Sequence, residues 1–304
     1  AFFNASAATI ESVAPLGGPV EGGTLVTLTG SGFVDYGGVY CRFGGEASSV
    51  VAASLLSLSQ LVCRSPAVAE EGSTVAMALT LNANLSAFML SNTTFDYHGA
   101  HAVHVSSVSP VAGPWAGGSL LNVSGVGFAA LGAVACRFGR PSQVAVGTVL
   151  SGGLVQCVSP LLAGGIVDAA DGTRREYVQV TLNGQDYTAS EAAFVGYNAA
   201  GVRVSSLMPS GGPVEGGSEV VVIGAGFADY GAHCRFDGGT LVRATLLNGS
   251  ALRCTTPERA AAGSEAVEVT LNGVGEAHSL TSDGVQFAFF NASAATIESV
   301  APLG

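Results

Sequence analysis

The sequence contains no lysine and little charge of any kind. All eleven basic residues are arginine, and charged residues make up 11% of the 304-residue chain, against roughly a quarter in ordinary globular proteins. Without lysine the chain has no P-loop lysine, Schiff-base lysine or serine–lysine pair. A formal net charge of −11 also argues against nucleic acid and anionic membranes as partners.

Long apolar runs are missing as well, although 48% of the residues are hydrophobic. No apolar stretch reaches about 18 residues, so we expect no membrane segment in this sequence. The chain begins with Ala1 and shows no signal peptide, which favours a mature protein or a part of a longer one. The hydrophobic fraction is too high for a disordered chain, yet the charge is low for a soluble surface.

Glycine contributes 43 residues, many of them in a threefold repeat. The segment PLGGPVEGG at 15–23 recurs as PSGGPVEGG at 209–217 and more loosely as PVAGPWAGG at 110–118. The prolines Pro15, Pro110, Pro209 and Pro302 are 95, 99 and 93 residues apart, which is the size of an immunoglobulin-like sandwich. Each copy continues with the same motifs: Gly-x-Gly-Phe from Gly30, Gly125 and Gly224, Cys-Arg-Phe from Cys41, Cys136 and Cys234, Cys-x-(Ser/Thr)-Pro from Cys63, Cys157 and Cys254, Thr-Leu-Asn from Thr80, Thr181 and Thr270, and a phenylalanine at Phe95, Phe194 and Phe287.

Within each copy the apolar residues alternate with a period of two, which predicts an all-β fold. Val39, Cys41 and Phe43 alternate with Tyr40 and Arg42, so we expect Cys41 to point inward. The same reasoning predicts one core-facing set in the preceding strand: Val26, Leu28, Leu121, Val123, Val221 and Ile223, with Thr27, Asn122 and Val222 between them. Asn183-Gly184 and Asn272-Gly273 are typical of tight hairpin turns.

These motifs resemble the IPT/TIG immunoglobulin-like domains, a family found in plexins, hepatocyte-growth-factor-type receptors and fibrocystin-like ectodomains. The resemblance covers nearly the whole chain and implies tandem immunoglobulin-like (E-set) β-sandwiches in a linear array. The second copy departs from the pattern at Trp115 and Ala116, which replace the Val-Glu of the other copies. The implied modules span residues 9–98, 103–198 and 202–290, preceded by a closing strand and linker at 1–8 and followed by the start of a further repeat at 291–304.

A longer repeat encloses the three modules. Residues 1–17 are identical to residues 288–304, a period of 287 residues. Ala1 is therefore equivalent to Ala288, in the closing strand of a module. We expect the sequence to be a window on a longer array whose three-module unit recurs almost unchanged.

The six cysteines fall two to a module, and fifteen pairings are conceivable. The symmetry of the repeat selects Cys41–Cys63, Cys136–Cys157 and Cys234–Cys254. Each disulfide would contribute roughly 3 kcal/mol in the chain-entropy model. Buried free thiols are the alternative, and a zinc site lacks the Cys-x-x-Cys or histidine frame that it needs.

Six of the ten asparagines lie in Asn-x-Ser/Thr sequons, at Asn4, Asn84, Asn92, Asn122, Asn248 and Asn291. Their positions in a β array are those of turns, linkers and outward strand faces, so we expect N-glycans on at least half of them. Together with the disulfides, these sites predict a secreted or cell-surface protein.

No set of residues points to catalysis or to a bound metal. His98, His101 and His104 follow one another at intervals of three, but the other modules have no histidine at these positions, which favours a polar linker. Acidic turn residues at Asp35, Asp168, Asp171, Glu176 and Asp229 lack the ligand density of a calcium loop. The turn at Gly30 lacks the helix of a nucleotide-binding loop.

We therefore expect a non-enzymatic extracellular structural protein without a cofactor, which forms a glycosylated fibre or long surface stalk. Its partners would be copies of itself, or adjacent repeats, joined head to tail. Modules about 30 Å long would give a three-module unit on the order of 100 Å. The alternative is a receptor ectodomain that binds a protein or glycan ligand. An accessory module for polysaccharide would need an aromatic platform, and Trp115 is the single tryptophan.

Overall fold

The computed structural model describes residues 8–45, 49–68, 70–99, 102–139, 143–162, 166–167, 173–236 and 239–292. The chain forms two compact units: unit 1 comprises Ala1–Val108, Asn122–Val158 and Tyr177–Ala192, and unit 2 comprises Ser109–Leu121, Ser159–Glu176 and Ala193–Gly304. The first module lies in unit 1 and the third in unit 2. Of the predicted flanking segments at 1–8 and 291–304, residues 1–7 and 293–304 lie outside the described residues, and Asn4 lies there with them.

The first module consists of eight strands, in agreement with the predicted all-β fold. Its strands are β1 (Thr9–Ala14), β2 (Gly17–Pro19), β3 (Leu25–Ser31), β4 (Tyr40–Phe43), β5 (Val50–Ser57), β6 (Gln60–Arg64), β7 (Thr74–Thr80) and β8 (Met89–His98). Hydrogen bonds connect them in the order β1-β3-β6-β5-β4-β7-β8-β2. The strand β5 pairs with β4 through its first half and with β6 through its second half, so it passes from one layer to the other.

The second module supplies strands to both units. They are β9 (His104–Ser109), β10 (Ala112–Pro114), β11 (Leu120–Val126), β12 (Ala135–Phe138), β13 (Gln143–Ser151), β14 (Leu154–Val158), β15 (Ile166–Val167), β16 (Arg174–Thr181) and β17 (Ala193–Tyr197). Within unit 1, β13 joins β12 to β14 as β5 does in the first module. Within unit 2, β10 pairs in parallel with β17.

The third module repeats this plan in unit 2. Its strands are β18 (Arg203–Met208), β19 (Gly211–Pro213), β20 (Glu219–Ala225), β21 (His233–Phe236), β22 (Thr240–Arg243), β23 (Thr245–Asn248), β24 (Ala251–Thr255), β25 (Gly263–Thr270) and β26 (Gln286–Phe290). The strand that changes layers is divided here, with β22 on β21 and β23 on β24. Two sheets result, in the orders β18-β20-β24-β23 and β19-β26-β25-β21-β22.

Each module has a disulfide between its two layers, pairing the cysteines in the combination that the repeat symmetry selects. The bonds join β4 to β6, β12 to β14 and β21 to β24, with Cα–Cα distances of 6.5, 6.3 and 6.3 Å. Aromatic rings pack against one another in the cores of the first and third modules. In the first module, Phe95 meets the edges of Phe43 and Tyr97 at 5.3 and 5.0 Å, and each fully buried ring contributes roughly 1.5–3 kcal/mol.

Two expectations about the strands are wrong. In β20 the buried residues are Val220 and Val222, both with no exposed surface, whereas Val221 and Ile223 are half-buried. Counting back from the Gly-x-Gly-Phe turn gives this register, because four and two residues before Gly30, Gly125 and Gly224 lie Val26 and Leu28, Leu121 and Val123, and Val220 and Val222. Four consecutive apolar residues at 220–223 hide the period that the other modules display.

The Asn-Gly pairs also do not form the predicted two-residue hairpins. Strand β16 ends at Thr181 and β17 begins at Ala193, and β25 ends at Thr270 and β26 begins at Gln286. Gly184 and Gly273 do adopt the positive φ values, 81° and 73°, that such turns use. The asparagines in front of them are buried and make contacts described below.

The Gly-x-Gly-Phe motif holds the first strand of each module against the third. In the third module, a methyl group on Gly224 would overlap the carbonyl oxygen of Arg203 in β18 and would lie 2.6 Å from the ring of Phe227. Phe227 is itself buried. The first glycine of the motif is therefore required by close backbone approach rather than by its own conformation.

Gly224→Ala is expected to destabilise the chain by roughly 1–3 kcal/mol, because the added methyl group forces β18 away from β20. Gly263→Ala is the matched control, since a methyl group there meets nothing within 4 Å and should change stability by no more than about 0.5 kcal/mol. Thermal unfolding of both variants is the measurement. Equal effects would contradict the proposed close approach.

Candidate functional site

The contacts that repeat from module to module lie where one module meets the one before it. Asn183 Nδ2 donates a hydrogen bond of 3.0 Å to the carbonyl oxygen of Gly17. Asn272 Nδ2 donates one of 3.1 Å to the carbonyl oxygen of Ala112. Gly17 and Ala112 occupy the same position in β2 and β10. The first of these junctions lies within unit 1 and the second within unit 2.

The Thr-x-Asn spacing aims each asparagine at its neighbour. Thr181 Oγ1 donates to Asn183 Oδ1 at 3.2 Å, and Thr270 Oγ1 donates to Asn272 Oδ1 at 2.7 Å. Because the carbonyl end of the amide is held by its own module, the NH2 end faces outward. Asn183 and Asn272 are only 5% and 6% exposed, so removing the acceptor would leave a buried donor unsatisfied, at a cost of about 1–3 kcal/mol.

The acceptor is an unused carbonyl on a short edge strand. In the parallel pairing of β2 with β8, Asp96 N donates to Leu16 O at 2.8 Å, and in the next module Val195 N donates to Val111 O at 2.9 Å. Successive carbonyls of a strand point to opposite sides, so those of Gly17 and Ala112 point away from their own sheets. An edge of this kind is open to a further partner.

The first junction is extended by polar side chains from the loop that follows β16. The Gln185 amide donates to Leu25 O and accepts from Leu25 N, both at 2.9 Å. Asp186 Oδ2 accepts from Thr24 Oγ1 and from Asn183 Nδ2, both at 2.7 Å. Asn183, Gln185 and Asp186 therefore bind the first module through four side-chain groups.

Close packing accompanies these hydrogen bonds. A methyl group on Gly17 would lie 3.0 Å from Leu131 Cδ1 and 2.5 Å from the Asp96 carbonyl oxygen. Leu131 is 8% exposed, and its carbonyl accepts a hydrogen bond from Leu16 N. The absence of a side chain at Gly17 lets the leucine approach.

The second junction uses aromatic stacking where the first uses the leucine. The rings of Tyr197 and Tyr230 stack with a centroid distance of 6.2 Å and an interplanar angle of 9°. Tyr197 is only 4% exposed, and burial raises its pKa well above the usual range. Glu276 Oε1 adds a hydrogen bond of 3.4 Å from Leu120 N.

A cavity of about 490 Å³ opens beside the first junction. His98, Glu21, Asp186 and Arg137 are among its lining residues. Burial lowers the pKa of His98, and the negative charges of Asp186 and Glu21 oppose this shift. Arg137 lies over the ring of Tyr187 at 3.8 Å and is bound by Gln179 Oε1. These charged and polar side chains form a polar rim beside the first junction.

The described sequon asparagines are all exposed: Asn84, Asn92, Asn122, Asn248 and Asn291. Asn84 Oδ1 accepts from Ser86 N at 3.1 Å, and Asn248 Oδ1 accepts from Ser250 N at 2.8 Å. These are Asx turns within the sequon itself. Asn92 lies inside β8, with its side chain exposed.

The other candidate residues serve the fold. Asp35 Oδ1 accepts from the backbone N–H groups of Gly37 and Gly38 at 2.8 and 2.7 Å, and these bonds lower its pKa; Asp229 makes equivalent bonds. Trp115 is covered by the guanidinium of Arg174 at 4.6 Å, so it presents no open platform. His101, Asp168 and Asp171 lie outside the described residues.

Neither a metal site nor a membrane span is found in the described ranges. No three His, Cys, Asp or Glu residues there are grouped so that they could hold a metal ion. No helix in the described part of the chain has the length and apolarity of a membrane span.

The fold and its repeated junctions define a tandem array of immunoglobulin-like β-sandwich domains. The family model of the IPT/TIG domain matches residues 8–97, 104–195 and 203–289, and the chain belongs to that family.

Solved structures match the chain at low sequence identity. The extracellular region of plexin A4, domains 1 to 10, has a TM-score of 0.51 and 16% identity, covering 94% of this chain and 24% of that chain. A plexin A4 structure of domains 1 to 8 has a TM-score of 0.39 and 12% identity over 93% and 34% of the two chains. The FN1–FN3 domains of chicken CNTN1 have a TM-score of 0.28 and 10% identity over 92% and 96%. No curated protein matches the sequence.

Sequence reasoning missed the junction role of Asn183 and Asn272. The signal was available, because Thr-Leu-Asn recurs in all three modules while the residues after it vary. A strand end needs no particular residue type for its own sake, so a repeated asparagine two positions after a threonine indicates a side-chain contact.

Asn183→Ala and Asn272→Ala are each expected to destabilise the chain by about 1–3 kcal/mol, because each leaves the edge carbonyl of the preceding module without its donor. Asn82→Ala is the matched control. Asn82 accepts from Thr80 Oγ1 in the same way, at 3.0 Å, but is exposed.

Chemical denaturation followed by circular dichroism measures the three variants. The effect of Asn82→Ala should be the smallest, since it removes only the bond within the module. If all three substitutions destabilise equally, the hydrogen bonds between modules contribute nothing measurable.

Proposed function

We propose that the chain is a non-enzymatic extracellular structural protein, one unit of a glycosylated fibre or long surface stalk. The observation that carries the proposal is the repetition of the junction. Equivalent asparagines bind equivalent edge carbonyls at the two junctions, and the sequence itself repeats after 287 residues. An array in which each module contacts mainly its neighbours grows in length without new design.

Extracellular location is supported by the three disulfides and by the exposure of the five described sequon asparagines. Disulfides persist in oxidising compartments. N-glycans would also supply the hydration that a surface with 11% charged residues lacks. The low charge, which is unusual for a soluble protein, agrees with a surface covered by sugar.

Cryo-electron microscopy of the native material tests the fibre. We expect filaments with an axial repeat on the order of 100 Å, since three modules of about 30 Å follow one another. Monodisperse particles of a few modules, without axial periodicity, would overturn the fibre. They would favour a receptor ectodomain that binds a protein or glycan ligand.

Digestion of the native protein with peptide-N-glycosidase tests the glycans. We expect conversion of asparagine to aspartate at no fewer than half of the six sequons, read by peptide mass spectrometry. Asn82 lies outside a sequon and is not followed by glycine, so it is an internal control that should stay unconverted. A native mass equal to that of the bare polypeptide would contradict this prediction.

A further inference from the structure

Both partners of a third junction are present in the chain, at separate places. The acceptor is Gly211 in β19, which corresponds to Gly17 and Ala112. Ala288 N donates to Ser210 O at 2.9 Å, the same bond that turns the next carbonyl outward in the other modules. Gly17 and Ala112 are buried, whereas Gly211 is half-buried.

The donor is Asn82 in the first module. Its Oδ1 is held by Thr80 Oγ1 at 3.0 Å, as in Asn183 and Asn272, so its NH2 group is directed in the same way relative to its module. Asn82 is exposed, and the two asparagines at the observed junctions are buried. The first module thus carries the binding half of a junction on its surface.

Phe290 in the third module corresponds to Tyr197, which stacks on Tyr230 at the second junction. Val214 N donates to Phe290 O at 2.9 Å, just as Trp115 N donates to Tyr197 O at 2.9 Å, so Phe290 occupies the place of Tyr197. Phe290 is 49% exposed and Tyr197 is 4% exposed. Phe290 is therefore exposed at the place where Tyr197 is covered by Tyr230 of the neighbouring module.

The spacing of the repeat brings these groups together. In a chain that repeats every 287 residues, Asn82 follows Gly211 by 158 positions. The bonded pairs at the two observed junctions are 166 and 160 positions apart.

We propose that the third module binds the first module of the next copy of the 287-residue repeat, with Asn82 Nδ2 donating to Gly211 O and the first module covering Phe290. This inference rests on the proposed array and names the surface that continues it. The occupant of both exposed surfaces is a second copy of this chain, joined through the shared segment at 288–304.

One feature distinguishes this junction from the first. Asn84 stands two residues after Asn82, the position that Gln185 holds after Asn183. Gln185 binds the backbone of Leu25 at the start of β3, whereas Asn84 is a sequon asparagine whose side chain forms an Asx turn. We therefore expect the third junction to lack the bonds that Gln185 makes and to carry the glycan predicted at Asn84 beside it.

The test uses a chain of two repeats with the 287-residue period kept. Asn82→Ala is made either in the second copy, where the residue meets Gly211 of the first, or in the first copy, where no module precedes it. We expect the second-copy variant to raise the unfolding equilibrium constant about fivefold more than the first-copy variant, the effect of one lost hydrogen bond. Asn183→Ala in the same chain is the positive reference.

Hydrogen exchange provides a readout that does not depend on stability. The amides of Ser210, Gly211 and Gly212 should exchange several-fold more slowly in the two-repeat chain than in the 304-residue chain. Asn82→Ala in the second copy should restore the faster exchange, and Asn82→Ala in the first copy should not.

Equal behaviour of the two copies, or unchanged exchange at 209–213, would overturn the third junction. That result would leave the fibre open to the microscopy described above. Conversely, a protected junction in a protein whose native form shows no filaments would refute the fibre and retain the junction.

Discussion

The structure depends on how an immunoglobulin-like sandwich disposes of its sheet edges. Each module has a three-residue edge strand whose parallel partner uses one carbonyl and leaves the next one outside. An edge carbonyl of this kind is a site for unwanted pairing. Here the next module covers it with one asparagine, at 3.0 Å in the first junction and 3.1 Å in the second. The edge strand therefore binds one specific partner, because a single side-chain amide occupies the carbonyl that an added strand would otherwise use.

The two junctions share this bond and differ around it. The first adds Gln185 and Asp186 to it, and Leu131 fills the space above Gly17. The second has a stack of two tyrosines and a single hydrogen bond that Leu120 N donates to Glu276. A constant hydrogen bond with variable surroundings permits neighbouring modules to diverge without losing their connection. The loop after the Thr-Leu-Asn motif carries this variation.

Much of the fold was predictable from the sequence, and the reason is periodicity. Val39, Cys41 and Phe43 are all buried, as their alternation predicts, and the repeated cysteines indicate the disulfides. The register of β20 was not predictable from alternation, because four adjacent apolar residues carry no period. The Gly-x-Gly-Phe turn, counted backward, does carry it.

The junctions were harder to predict because their meaning is not local. Within its own module Asn183 follows the end of strand β16 and precedes a glycine with positive φ. A hairpin turn has the same two features. Only its contact with Gly17, 166 residues away, separates the two interpretations. Threonine two residues earlier supplies the missing constraint, since it fixes the amide's carbonyl and thereby chooses which end faces out. A single-sequence argument reaches this conclusion when it asks what each repeated polar residue binds, in addition to which element it ends.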